Sequence, residues 1–119
     1  MRTVVHLDNS GFLRKLMQMF LKERGIESEA YDKGSDVLER IKRGDIALII
    51  AGTFFNDMTG FAFLKRLLLS PQKVPVIILT SNSSEQQQLI MKTLGVEAII
   101  IKSGHWQDEL FPYILKHVR

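Results

Sequence analysis

The chain has 119 residues, 45% of them apolar and 24% charged, with a net charge of +3. That balance is ordinary for one globular domain with its own core, and the absence of cysteine excludes disulfides, thiolate metal sites and cysteine nucleophiles. No apolar run approaches the roughly 20 residues that span a bilayer, and no apolar signal region with a cleavage site opens the chain, so a cytoplasmic location is expected.

In chain order, Thr3–Leu7 is a strand-like run ending at Asp8-Asn9-Ser10. From Phe12 to Arg24, Phe12, Leu13, Leu16, Met17, Phe20 and Leu21 recur at three- and four-residue spacing, which predicts one apolar helical face. Gly25 is a natural stop. The basic residues of this helix, Arg14, Lys15, Lys22 and Arg24, are partly offset by Glu23. They read as a solvated face, and nucleic acid is not an expected partner. Ile26–Tyr31 is a weaker strand, Gly34 lies in the turn after it, and Ser35–Lys42 reads as a short helix with Val37, Leu38 and Ile41 inward.

Ile46–Ala51 is apolar throughout, as in a strand covered on both faces. Gly60–Leu69 returns to helical spacing until Ser70-Pro71, and Val74–Leu79 is a further apolar strand. The hydroxyl-rich Thr80–Ser84 stretch offers N-caps for a helix over Glu85–Leu94. Gln86, Gln87 and Gln88 give that helix a polar patch, with Leu89, Ile90 and Leu94 predicted inward. Gly95 stops it, Ala98–Ile101 is the last strand, and Asp108–Val118 the last helix, with Pro112 close to its start. Five strands alternating with five helices predict a doubly wound parallel sheet with helices on both sides. Residues 1–119 contain no linker or repeat that would divide them into further domains.

In such a sheet, ligands bind at the carboxyl ends of the strands, near the point where strand order reverses. The residues placed there are Asp8, Asn9 and Ser10, then Gly52 and Thr53, then Thr80 and Ser81, then Lys102. One carboxylate, one amide, a few hydroxyls and an ammonium suit an anion or small polar group better than Mg²⁺, which prefers several carboxylate oxygens and waters. At most a weak Mg²⁺ site at Asp8 is expected, with no cofactor. An Asp8–Lys102 ion pair is the plain alternative.

The same positions carry a resemblance. Asp8-Asn9-Ser10 with Arg14, Gly34-Ser35-Asp36-Val37-Leu38, Gly60-Phe61-Ala62-Phe63-Leu64, Thr80-Ser81 and Lys102 together resemble the response-regulator receiver (CheY-like) family. The resemblance implies a flavodoxin-like (βα)5 fold, a three-layer α/β/α sandwich, serving two-component signal transduction. It also implies that Gly52, eight residues before Gly60, stands where the family has its phosphoryl-acceptor aspartate. Glycine offers no nucleophile for an aspartyl phosphate. Asn9 replaces the second acid of the first-strand pair, Asn56 and Ser103 replace two prolines, and Ile99 replaces the aromatic switch residue. The implied protein is a degenerate receiver, not an enzyme, acting as a phosphorylation-independent interaction or dimerisation module. Its expected docking face is that of the fourth helix, last strand and last helix, near Gln87, Lys92 and Ile99, engaging a signalling partner, an output domain or a second copy. The alternative is a sensor of small anions or nucleotides at the rim, using Thr80, Ser81, Lys102 and the N-terminus of the fourth helix.

Three further residues have competing readings. Asp57 is either a turn residue before Gly60 or a relocated phosphoryl acceptor. His6 lies on the same side of its strand as Asp8 and is expected to be buried, neutral and bonded to a neighbour, a catalytic role being the alternative. Trp106, beside His105, either packs on the last helix or anchors a partner.

Overall fold

A computed structural model describes residues 2–119. Its elements are β1 (Thr3–Leu7), α1 (Gly11–Glu23), β2 (Ser28–Tyr31), α2 (Gly34–Arg40) with a 3-10 turn at Ile41–Arg43, β3 (Ile46–Ala51), α3 (Gly60–Leu68), β4 (Val76–Thr80), α4 (Glu85–Thr93), β5 (Ala98–Ile101) and α5 (Trp106–Val118). The five strands form one parallel sheet in the order β2-β1-β3-β4-β5. Order reverses between β1 and β3, and the ends of those two strands hold Asp8 and Gly52.

Strand side chains alternate between two cores. Val5, Leu7, Ile49, Ala51 and Ile78 meet Val37, Phe63, Leu64 and Met91 from α2, α3 and α4. Val4, Leu48, Ile50, Ile77 and Ile100 meet Met17, Phe20, Leu21, Leu110 and Ile114 from α1 and α5. Every residue of β3 is buried, the reason its sequence is apolar without alternation. The result is the expected flavodoxin-like sandwich. Among the described residues, no helix is long and apolar enough to cross a membrane.

Helix ends follow local chemistry. The Ser10 hydroxyl accepts from the Leu13 N–H at 3.1 Å and starts α1, and the Thr59 hydroxyl does the same for Ala62 at the start of α3. Gly25 and Gly95 end α1 and α4 at φ 70° and 94°, a region other residues rarely adopt.

Three packing expectations are corrected. In α1 the buried set is Leu13, Met17, Phe20 and Leu21, with Leu16 half-buried and Phe12 79% exposed. One residue is about 100° of helix, so seating Leu13 turns Phe12 out. In α4 only Met91 is buried, while Leu89 is 67% and Ile90 44% exposed; Leu94, at its end, does pack against the core as expected. The Ser84 cap fixes a register in which Gln88 and Met91 take the inward positions. Helix α5 starts two residues earlier than expected, at Trp106, so Pro112 falls mid-helix on an exposed position. Trp106 itself packs against the α1–α5 core, the first of its two readings.

Candidate functional site

The strand ends bring Asp8, Asn9, Gly52, Thr53, Thr80 and Lys102 around one open cavity of about 350 Å³, with Phe54 and Ser81 also on its wall. A larger groove of about 650 Å³ lies between α1 and β2 near the opposite end of the strands. It carries charged groups of both signs, Lys15, Lys22, Glu27 and Glu29 among them, but it lies away from the carboxyl ends of the strands, where ligands of open parallel sheets bind.

The rim is built from backbone upward. The Gly52 N–H donates to Leu7 O at 2.9 Å and Lys102 N–H to Thr80 O at 2.8 Å, continuing both pairings past the strand ends. Asp8 is buried, and its Oδ1 accepts from the Ser10 N–H at 2.8 Å. Its Oδ2 lies 2.8 Å from where a β-carbon on Gly52 would stand. The carboxylate thus fills part of the space that a side chain at position 52 would take. Arg14 reaches back and donates to the Asp8 carbonyl at 2.7 Å.

The Asp8–Lys102 ion pair does not form. Among the described residues, the Lys102 ammonium meets no carboxylate within salt-bridge distance, because the Asp8 oxygens are turned to Ser10 and to the space over Gly52. The Thr80 hydroxyl donates to Asn82 O at 3.0 Å, so it is already engaged within its own loop. At the N-terminus of α4 a capping box engages two of the backbone amides. Ser84 Oγ accepts from Gln87 N–H at 3.1 Å, and Gln87 Oε1 from Ser84 N–H at 3.0 Å. Two of the donors expected for a phosphate are therefore committed elsewhere, and so is the Gln87 side chain expected at a docking face.

Asp57 serves α2. Its carboxylate accepts from the N–H groups of Gly34 at 2.8 Å and Ser35 at 3.0 Å. Burial works against its charge, but the bonds from Ser35 and Gly34 outweigh it and hold the carboxyl below the usual range. Asp57 is thus engaged with the start of α2.

His6 lies under the rim and is 1% exposed. Contrary to expectation, neither ring nitrogen has a hydrogen-bond partner among the described residues. Its neighbours across the sheet are Ala30 and Ile50, which offer no side-chain acceptor. Burial first, then the charges of Arg14 and Lys102, push its pKa down to about 4. The ring is a neutral, unpaired group beneath a positively charged rim.

Sequence reading also missed Arg40. Its guanidinium is buried between Glu29 Oε1 at 2.7 Å and Asp45 Oδ1 at 2.6 Å, tying α2 to β2 and to the start of β3. Such residues lie 11 and 5 positions away, at spacings that carry no motif.

A family model for the response regulator receiver domain matches residues 4–113. The chain belongs to this family. As a receiver, it is similar to the transcriptional regulatory protein CreB of Escherichia coli (26% identity, 80% of this chain, 41% of CreB). It is also similar to the autoinducer 1 sensor kinase/phosphatase LuxN of Vibrio harveyi (31%, 71% of this chain, 10% of LuxN). Against the cell cycle response regulator CtrA of Brucella ovis the match covers 100% of this chain and 50% of that protein, at 26% identity. The receiver thus spans half or less of the length of these relatives. In solved structures, the signal receiver domain of a LuxO repressor protein from Vibrio parahaemolyticus superposes with a TM-score of 0.87 at 24% identity, covering 98% of this chain and 90% of that one. Chemotaxis protein CheY4 of Vibrio cholerae gives 0.83 at 23%, covering 99% of both chains. These two likenesses establish the fold.

Proposed function

We propose that this receiver signals without being phosphorylated, as a docking module in a two-component assembly. One observation carries the reading: the residue at the end of β3, matched to the family's acceptor, is Gly52, and the Asp8 carboxylate occupies part of the space above it. With Asn9 beside Asp8, one carboxylate remains where a receiver needs several to hold Mg²⁺. The loss of nucleophile and metal site together favours a lost chemistry over a relocated one.

The docking face we assign is that of α4, β5 and α5. Gln87 is used up in its own helix cap, and Ile99 is half-buried against the core. The contact atoms fall instead to exposed Leu89, Ile90 and Ile101, with Lys92 at their side. Ile101 shares a strand face with Ile99, so the aromatic switch position becomes a fixed apolar surface. Relatives carry their receiver within a transcriptional regulatory protein or a sensor kinase/phosphatase. By analogy, the partner here is an output or kinase module, or a second copy, in the cytoplasm. No enzymatic role is proposed.

Incubation with acetyl phosphate and Mg²⁺, followed by intact-mass measurement, tests the reading. The expected result is an unchanged mass; a stoichiometric gain of one phosphoryl group would refute it.

A further inference from the structure

The rim that lost its nucleophile retains a cavity, a cation and an exposed aromatic ring, and these have a use apart from partner docking. We propose that the cavity binds a small organic monocarboxylate with a flat apolar body, held at its head by Lys102 and along its body by Phe54.

The charge count sets the class. Lys102 lines the cavity and pairs with no carboxylate among the described residues. Arg14 stands behind the Asp8 carbonyl, and Asp8 is the single carboxylate on the wall. Two positive charges against one negative leave a site that a monoanion makes neutral. A dianion would over-compensate it and face the Asp8 carboxylate. The same two cations, after burial, also act against protonation of His6 beneath the rim.

The donor set points the same way. A phosphate needs many donors, yet the Thr80 hydroxyl is given to Asn82 and the Ser84 and Gln87 amides of α4 to its capping box. An ammonium with one or two hydroxyls from Thr53 and Ser81 suffices for a carboxylate.

The body of the ligand is set by Phe54 and its orientation by Asp8. Phe54 lines the cavity yet is 63% exposed, leaving a ring face open for stacking. The floor above Gly52 is taken by the Asp8 carboxylate, which turns the ligand's own carboxylate toward Lys102. The volume of about 350 Å³ is at the small end of organic ligand sites.

The test is an amide ¹H–¹⁵N titration of the chain with benzoate, acetate, benzyl alcohol and inorganic phosphate in turn. Benzoate is expected to shift the amides of Gly52, Thr53, Ser81 and Lys102 along one saturable curve. Acetate, lacking the ring, should bind about threefold or more weakly, and benzyl alcohol, lacking the charge, should leave these amides still. Lys102→Gln should weaken benzoate by about tenfold or more, the loss of one charge-assisted contact. Phe54→Ala, at an exposed position, should weaken it by about threefold. Phosphate binding as tightly as benzoate, benzyl alcohol binding equally well, no saturable shift, or no change in either variant would overturn the proposal. None of these outcomes bears on docking at α4 and β5 or on the phosphodonor result, so the two readings fail separately.

Discussion

Asp8 Oδ2 and a β-carbon on residue 52 compete for one position, 2.8 Å apart if both were present. The present geometry of the rim therefore depends on glycine at 52 as much as on the aspartate. Gly52→Ala should force the Asp8 carboxylate aside and cost about 1–2 kcal/mol, the usual penalty for overpacking. In an Asp8→Ala background the same change should cost under about 0.5 kcal/mol, because the obstructing atom is gone. Urea unfolding of the four members of this cycle measures the coupling; additive effects would mean that the two residues do not compete.

His6 makes stability fall on acidification. Burial holds its folded pKa at about 4, below the ordinary imidazole value of 6.5, so between these values the unfolded chain binds the proton that the folded chain excludes. Stability from this group is complete above pH 6.5, declines as pH falls, and is lost by about pH 4. The full effect is roughly 3 kcal/mol at 1.36 kcal/mol per unit. His6→Val should flatten the curve over that window. At neutral pH it should stabilise the protein, since two unpaired ring nitrogens leave the core. A variant as acid-sensitive as the parent between pH 6.5 and 4 would contradict this account.

Arg40 is buried, while Glu29 and Asp45 are 33% and 43% exposed. Removing the cation by Arg40→Ala leaves two carboxylates that water can reach, which softens the loss. A cost of about 2–3 kcal/mol is expected, below that of breaking a fully buried pair. The hydrogen bond from Arg40 is the main cause holding the Glu29 carboxyl below its usual range. Carbon-13 titration of Glu29 should therefore show its pKa rising in the variant.

Asp57→Ala removes acceptors from the Gly34 and Ser35 N–H groups and should cost about 1 kcal/mol, as for other helix caps. Amide hydrogen exchange should speed up in the first turn of α2 and leave β1 and β3 unchanged. Equal acceleration in all three would show a global effect in place of an uncapped helix.

The fold was legible because it is written in local pattern. The apolar runs at Ile46–Ala51 and Ala98–Ile101 and the stops at Gly25 and Gly95 each depend on a few neighbours in sequence. The set of rim residues was legible too, since a parallel sheet places every strand end on one side. What pattern could not show was orientation. Whether Phe12 or Leu13 turns inward depends on a one-residue phase fixed by the Ser10 hydroxyl. The direction of the Asp8 carboxylate depends on which of Ser10, Gly52 and Lys102 claims it. Arg40 and Asp57 eluded the sequence for another reason: their partners sit on other elements, and only the fold brings them together.

The segment after β3 has one more property. Asn56 donates to Asp32 from both backbone, at 2.9 Å, and side chain, at 2.7 Å, and Asp57 holds the first amides of α2. Four bonds thus rivet this loop to the corner where β2 turns into α2. A load applied at Phe54 is carried sideways into α2, the side of the molecule away from α4 and β5. The other half of the rim, Thr80, Ser81 and Lys102, runs directly into α4 and out of β5, so a molecule bridging Phe54 and Lys102 would load both edges of the sheet at once.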